Sequence, residues 1–192
     1  IADLDRKVKV WGIDTSNLAI NQVEKKGFRG FVVDINRRKL PFPEDFFDII
    51  YSGDVIEHLV DPDLMIKEVK RTLKEDGFLI LTTPNLASWY NRLLLLFGFQ
   101  PIFSEVSTEK VFGRPGSEIV GHLRLYTLKS LKDFLSHHGL KIINIEGAYF
   151  HGFNSILKAI DNFFTRFPSI SSILVVTAQR TQNLSRGNLN SC

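Results

Sequence analysis

Asp54, Glu57 and His58 stand together near the end of the segment 46–59, Phe-Phe-Asp-Ile-Ile-Tyr-Ser-Gly-Asp-Val-Ile-Glu-His-Leu. Two carboxylates and an imidazole within about one helical turn offer oxygen and nitrogen ligands to a divalent cation. The imidazole alone offers a base that takes up a proton near neutral pH. A purely structural role is the competing reading, in which Glu57 and His58 cap and brace a helix starting at Asp61. The residues before them are apolar. Phe47, Ile49, Ile50 and Tyr51 form a run without polar alternation, as in a parallel strand buried on both faces. Ser52-Gly53 then lets the backbone leave the sheet, and in open α/β sheets ligands sit beyond the carboxyl ends of the strands.

Other strand ends repeat the pattern. Residues 8–14 read as a strand closing on Asp14, with Thr15 or Ser16 to cap a helix carrying Leu18, Ala19 and Val23, and Gly27 as its left-handed stop. Residues 31–34 read as a second strand closing on Asp34. Asp61-Pro62-Asp63 marks a helix start, with a cap, a first-turn proline and an acid at the positive dipole end. That helix is expected to bury Met65, Val69 and Leu73 and to stop at Gly77. A fourth strand, 78–83, ends at Pro84-Asn85. Strands alternating with helices of this length predict parallel β-α units in a three-layer α/β fold. Asp14, Asp34 and Asp54 then line one sheet edge. A strand-end carboxylate can accept both hydroxyls of a ribose, so the edge suits a nucleoside-containing ligand.

Beyond Asn85 the rhythm breaks. Residues 89–97 read as a very apolar helix and 98–121 as a long loop, a length more often functional than decorative. Thr127 caps a further helix that stops at Gly139. Strands follow at 140–145 and 173–177, with an apolar helical stripe from Phe153 to Phe167 between them.

The 192 residues, 44% hydrophobic and 23% charged, fit an ordinary globular protein. The net charge of +3 is scattered, so nucleic-acid binding is not expected. Cys192 is the only cysteine, which excludes an intrachain disulfide and agrees with a reducing, cytoplasmic setting. No apolar run reaches membrane-spanning length.

Taken in order, Val10-Trp11-Gly12-Ile13-Asp14-Thr15-Ser16, Leu40-Pro41-Phe42-Pro43, Phe47-Asp48-Ile49-Ile50, Ile56-Glu57-His58-Leu59 with Asp61-Pro62, and the run from Leu73 to Asn85 resemble the class I S-adenosylmethionine-dependent methyltransferases. Within them the likeness is to the group related to ubiquinone and menaquinone biosynthesis enzymes, over about residues 8–147. The resemblance implies a Rossmann-like three-layer sandwich with a mostly parallel sheet, spanning 1–180 with an insertion at 86–127 and a disordered tail at 181–192. It implies S-adenosylmethionine as cofactor, with Asp14 and Thr15 at the ribose, Asp34 and Ile35 bordering the adenine, and Gly53 against the methionine portion. His58 and Asp54 become the candidate catalytic residues. In ubiquinone-type O-methyltransferases a carboxylate-x-x-Glu-His arrangement binds a divalent cation such as Mg, which places Asp54, Glu57 and His58 as the ligand set.

The family also has a first strand and a glycine-rich loop upstream of the Asp14 strand. Neither is found before Val8, where residues 1–7 read as a helix end, so the chain is expected to be incomplete at its N-terminus and inactive as a fragment. The expected reaction is methyl transfer, foremost O-methylation, to a small and hydrophobic acceptor. A narrower likeness covers Pro84-Asn85, Trp89, Asn91-Arg92-Leu93 and 122–127. It is similar to methionine-biosynthesis W-type proteins, and it implies a non-catalytic or partner-dependent module on the same fold. A protein partner or a homodimer is expected. A nucleotide-cofactor dehydrogenase shares Asp14 but does not account for Glu57-His58.

Overall fold

The computed structural model describes residues 8–181. The expected helix end at 1–7 and the expected tail at 182–192 lie outside them. Packing divides the chain into two compact units after Pro41, where the sequence predicts one domain over 1–180.

In the first unit β1 (Trp11–Asp14) and β2 (Arg29–Val32) pair in parallel, with α1 (Asn17–Lys25) between them in sequence. Ser16, not Thr15, caps α1, its hydroxyl accepting from Ala19 N at 3.3 Å. Gly12 and Gly30 face one another in register, and α1 packs over this pair. A Cβ on Gly30 would stand 2.5 Å from Ile20 Cγ2, and one on Gly12 would stand 3.0 Å from Val23 Cγ1. The inward stripe of α1 is therefore Ile20, which is buried, with Val23, which is half-buried. Leu18, expected on that stripe, lies two residues before Ile20, nearly on the opposite side of the helix, and is 69% exposed. The second strand starts two residues earlier than expected, so Asp34 sits in the turn after it.

The second unit holds a four-stranded sheet in the order β3-β4-β6-β5. Its strands are β3 (Phe47–Gly53), β4 (Leu73–Pro84), β5 (Leu140–Ala148) and β6 (Ile173–Arg180). Its helices are α2 (Pro62–Thr72), α3 (Trp89–Leu96), α4 (Leu128–His137) and α5 (Ser155–Phe164). β3 and β4 are parallel, as the sequence predicts for β-α units. β6 runs antiparallel to both β4 and β5, so the sheet is mixed. On one face Leu79, Leu81, Leu174, Val176 and Ala178 are fully buried, as are Met65, Ile66 and Val69 of α2 and Leu131 and Leu135 of α4.

Two local readings change. β3 is not buried on both faces: among the described residues it pairs on one side only, and Ile49 and Tyr51 are 57% and 68% exposed. The helix ahead of β4 ends at Thr72 rather than at Gly77. The left-handed residue there is Asp76, with φ 63°. Gly77 serves a close backbone approach, since a Cβ would stand 3.0–3.2 Å from the carbonyls of Lys74, Phe47 and Asp48. No helix among the described residues is long and apolar enough to cross a membrane.

Candidate functional site

In the first unit, each strand-end carboxylate closes its own turn. Asp14 Oδ1 accepts from Ser16 N at 2.8 Å. Asp34 Oδ1 accepts from Asn36 N at 3.0 Å, and its Oδ2 lies 3.4 Å from Arg37 Nε. These are the local contacts of an ordinary turn acid. They leave Asp14 exposed, with no hydrogen bond to its Oδ2 among the described residues. With one carboxylate oxygen held by the backbone and the other open to solvent, Asp14 keeps a free acceptor that fits the hydroxyls of a ribose. Thr15 is exposed and Ile35 half-buried.

In the second unit the chain leaves β3 at Gly53 and turns through Asp54, whose φ is 52°. The Asp54 backbone N–H donates to Thr82 O at 3.1 Å, and the Thr82 hydroxyl donates to Asp54 Oδ1 at 3.0 Å. Asp54 is thereby tied to the neighbouring strand end, which a left-handed non-glycine residue needs. Tyr51 and Gly53 share a strand face, and the Tyr51 phenol lies over Gly53, 2.5 Å from where a Cβ would be.

Residues Ile56–His58 form a single 3-10 turn. Glu57 does not cap α2; Asp61 does, accepting from Leu64 N at 2.9 Å. Glu57 is instead fully buried. Its Oε2 accepts from the Thr83 hydroxyl at 3.0 Å, while Oε1 has no hydrogen-bond partner. Its backbone carbonyl receives Leu123 N at 2.8 Å and Arg124 N at 3.1 Å. The Arg124 guanidinium reaches further, donating to the carbonyls of Leu59 and Val60. The end of the 98–121 loop is thus pinned along residues 57–60, and Arg124 is a clamp on that turn.

This return brings His122 to the site. The His122 ring lies against that of His58, centroids 4.7 Å apart and planes inclined by 59°, with its Nε2 4.0 Å from Glu57 Oε1. Each imidazole presents Nδ1 to a loop carbonyl: His58 to Gly121 O at 3.1 Å, His122 to Phe103 O at 3.2 Å. A carbonyl only accepts, so in the neutral rings Nδ1 carries the proton and Nε2 the lone pair. Glu105 holds the loop in place, its carboxylate accepting from the N–H groups of Val120 and Gly121. Burial holds the Glu57 carboxyl above the usual carboxylate range. Burial, and then the neighbouring His58, push the His122 imidazole below its ordinary value.

The carboxylate and imidazole atoms that converge are those of Glu57, His58 and His122, all within 4.8 Å of one another. Asp54, expected as the first ligand, is outside that group. Asn85 is structural: it is buried and donates to Ser171 O at 2.8 Å.

Residues 1–81 match the family model described as a methyltransferase domain. A solved S-adenosylmethionine-dependent methyltransferase from Thermotoga maritima superposes with a TM-score of 0.61 at 18% identity, covering 91% of this chain and 74% of that one. The fold is that of the class I methyltransferases. Two curated methyltransferases each match less than half of the chain. One, from Mycobacterium tuberculosis, is named as a probable S-adenosylmethionine-dependent methyltransferase and is 32% identical over 40% of this chain and 28% of its own length. The other is the ubiquinone/menaquinone biosynthesis C-methyltransferase of Vibrio vulnificus, 30% identical over 47% of this chain and 30% of its own. The chain spans about a third or less of the length of these relatives. The match to the methyltransferase-domain model takes in Asp14, Asp34, Gly53, Asp54, Glu57 and His58 and stops within β4, so His122 lies outside it.

Proposed function

We propose that the chain carries part of an S-adenosylmethionine-dependent methyltransferase acting on a small-molecule acceptor, with O-methylation the favoured reaction. The observation that carries this reading is the match of residues 1–81 to the methyltransferase-domain model. S-adenosylmethionine supplies a methyl group made electrophilic by its sulfonium, so the protein's task is mainly positioning and proton removal. In this reading Asp14 accepts the ribose hydroxyls through the oxygen that its turn leaves open, with Thr15 beside it. Asp34 and Ile35 border the adenine. Gly53 takes the methionine portion, which requires the Tyr51 phenol to swing off it. An acceptor hydroxyl loses its proton to His58 Nε2, the nitrogen left bare by the bond to Gly121 O. Asp54, its carboxylate braced by the Thr82 hydroxyl, is the second candidate catalytic residue.

Titration calorimetry on the full-length protein tests the reading. Micromolar affinity for S-adenosylmethionine, weakened about 10-fold or more by Asp14→Ala, is expected. Preference for a nicotinamide dinucleotide overturns it.

A second reading is favoured by the partnerless Oε1 of Glu57. It places a divalent cation on Glu57, His58 and His122, each imidazole oriented by a carbonyl behind it as metal-bound histidines usually are. Glu57 Oε1 and His122 Nε2 must first close from 4.0 Å to about 3.4 Å, the separation that ligand bonds near 2.1 Å allow in a tetrahedral site. Elemental analysis finding no metal in the purified protein, with turnover unaffected by chelator, ends that reading.

A further inference from the structure

α3 and α5 meet at one firm point. Trp89 stacks on Phe164 with centroids 5.5 Å apart, and its indole N–H donates to Asp161 Oδ1 at 2.8 Å. Away from that point both helices carry large apolar side chains into solvent. Leu96 and Phe97 at the end of α3 are 75% and 72% exposed, and Ile156 of α5 is 76% exposed. Leu95, Phe163 and Phe167 are each about half exposed. Six large apolar side chains about half exposed or more, carried on two joined helices and their ends, form a candidate interaction surface.

The charges of these two segments are one-sided. Arg92 is the only charged residue of 89–103, and Lys158, Arg166 and Asp161 are those of 149–170. Asp161 is fully buried, with its carboxylate taken by the Trp89 indole, the Ser172 hydroxyl and Phe150 N. The formal charge that these segments present outward is therefore positive throughout. Leucine and phenylalanine beside lysine and arginine is the composition of a helix lying in a lipid headgroup region. A second copy of the chain fits less well. A two-fold contact through these segments would offer Arg92, Lys158 and Arg166 only apolar and basic neighbours, with no exposed carboxylate in either segment to pair with them.

We propose that the outer sides of α3 and α5 form a docking surface for an anionic lipid bilayer, with the apolar side chains entering the headgroup boundary and the basic ones resting on acidic headgroups. The surface is independent of the methyl-transfer reading. Vesicle sedimentation with the full-length protein tests it. Phosphatidylcholine vesicles with about 30% phosphatidylglycerol should bind at least about 10-fold more tightly than phosphatidylcholine alone. The triple substitution Leu96→Ser, Phe97→Ser, Ile156→Ser should weaken binding to the acidic vesicles about 10-fold or more, with the melting temperature held because these side chains are about three-quarters exposed. Lys158→Glu with Arg166→Glu should remove the preference for acidic vesicles. No binding to either vesicle overturns the proposal, as does a triple variant that binds like the parent. A parent dimer that the triple variant dissociates, without vesicle binding, assigns the surface to a second copy and overturns it too.

Discussion

Glu57 is a carboxylate placed where only one of its oxygens finds a donor, the Thr83 hydroxyl. Because burial raises its pKa, the folded chain keeps that proton to higher pH than the unfolded chain does. Such a group favours the fold fully below the unfolded carboxylate pKa, and that contribution is lost as pH rises through the raised folded value. Glu57→Gln keeps an acceptor for Thr83 and removes the titration. Its melting temperature should therefore gain on the parent between about pH 5 and pH 8, and a difference that does not move with pH contradicts the assignment. His122 works in the opposite sense. Its lowered pKa gives a contribution present above the unfolded imidazole value, about 6.5, and lost as pH falls through the folded one. Acidification from about pH 7 to pH 5 should accordingly cost the parent more stability than His122→Gln, measured by differential scanning calorimetry. In the proposed reading His58 takes the acceptor's proton. Its replacement by Gln should lower kcat about 100-fold or more, with S-adenosylmethionine affinity unchanged.

Among the elements, those whose signals are local were legible in the sequence. The Asp61-Pro62 start of α2, the Thr127 cap of α4 and the left-handed Gly27 and Gly139 stand where their residue types require. What a strand buries was not legible, because it depends on which strands flank it. The apolar run of β3 reads as interior, yet Ile49 and Tyr51 are exposed on a strand that pairs on one side among the described residues. The site divides the same way. Asp54, Glu57 and His58 are contiguous and could be picked out, but their grouping could not. His122 arrives on a loop without periodicity, and only the pinning of Leu123 and Arg124 to Glu57 brings it in. Asp161 was hidden for a related reason. It sits in an apolar helical stripe, and its three donors come from distant positions. Asp161→Ala strands those donors and should cost on the order of 3 kcal/mol in denaturant unfolding. Gly30→Ala forces a methyl against the stiff Ile20 side chain of α1 and should cost about 1–3 kcal/mol within the first unit.

For the whole molecule, the division after Pro41 makes unequal partners. The first unit rests on Ile20 and Val23 packed over two short strands, whereas the second encloses a full sheet face under α2 and α4. A segment of about 40 residues rarely encloses enough apolar surface to be stable by its own packing. The two tryptophans divide between the units: Trp11 lies in β1 and Trp89 at the head of α3. Each therefore reports one unit by fluorescence when the other is replaced by Phe. In urea, Trp11 in a Trp89→Phe chain should change at a lower midpoint than Trp89 in a Trp11→Phe chain, with the shallower slope of a smaller buried surface. The Trp89 replacement gives up the bond to Asp161, which weakens the second unit and so narrows the expected gap. A separation that survives this handicap is all the stronger for it. Coincident midpoints with equal slopes would mean that the chain unfolds as a single cooperative body.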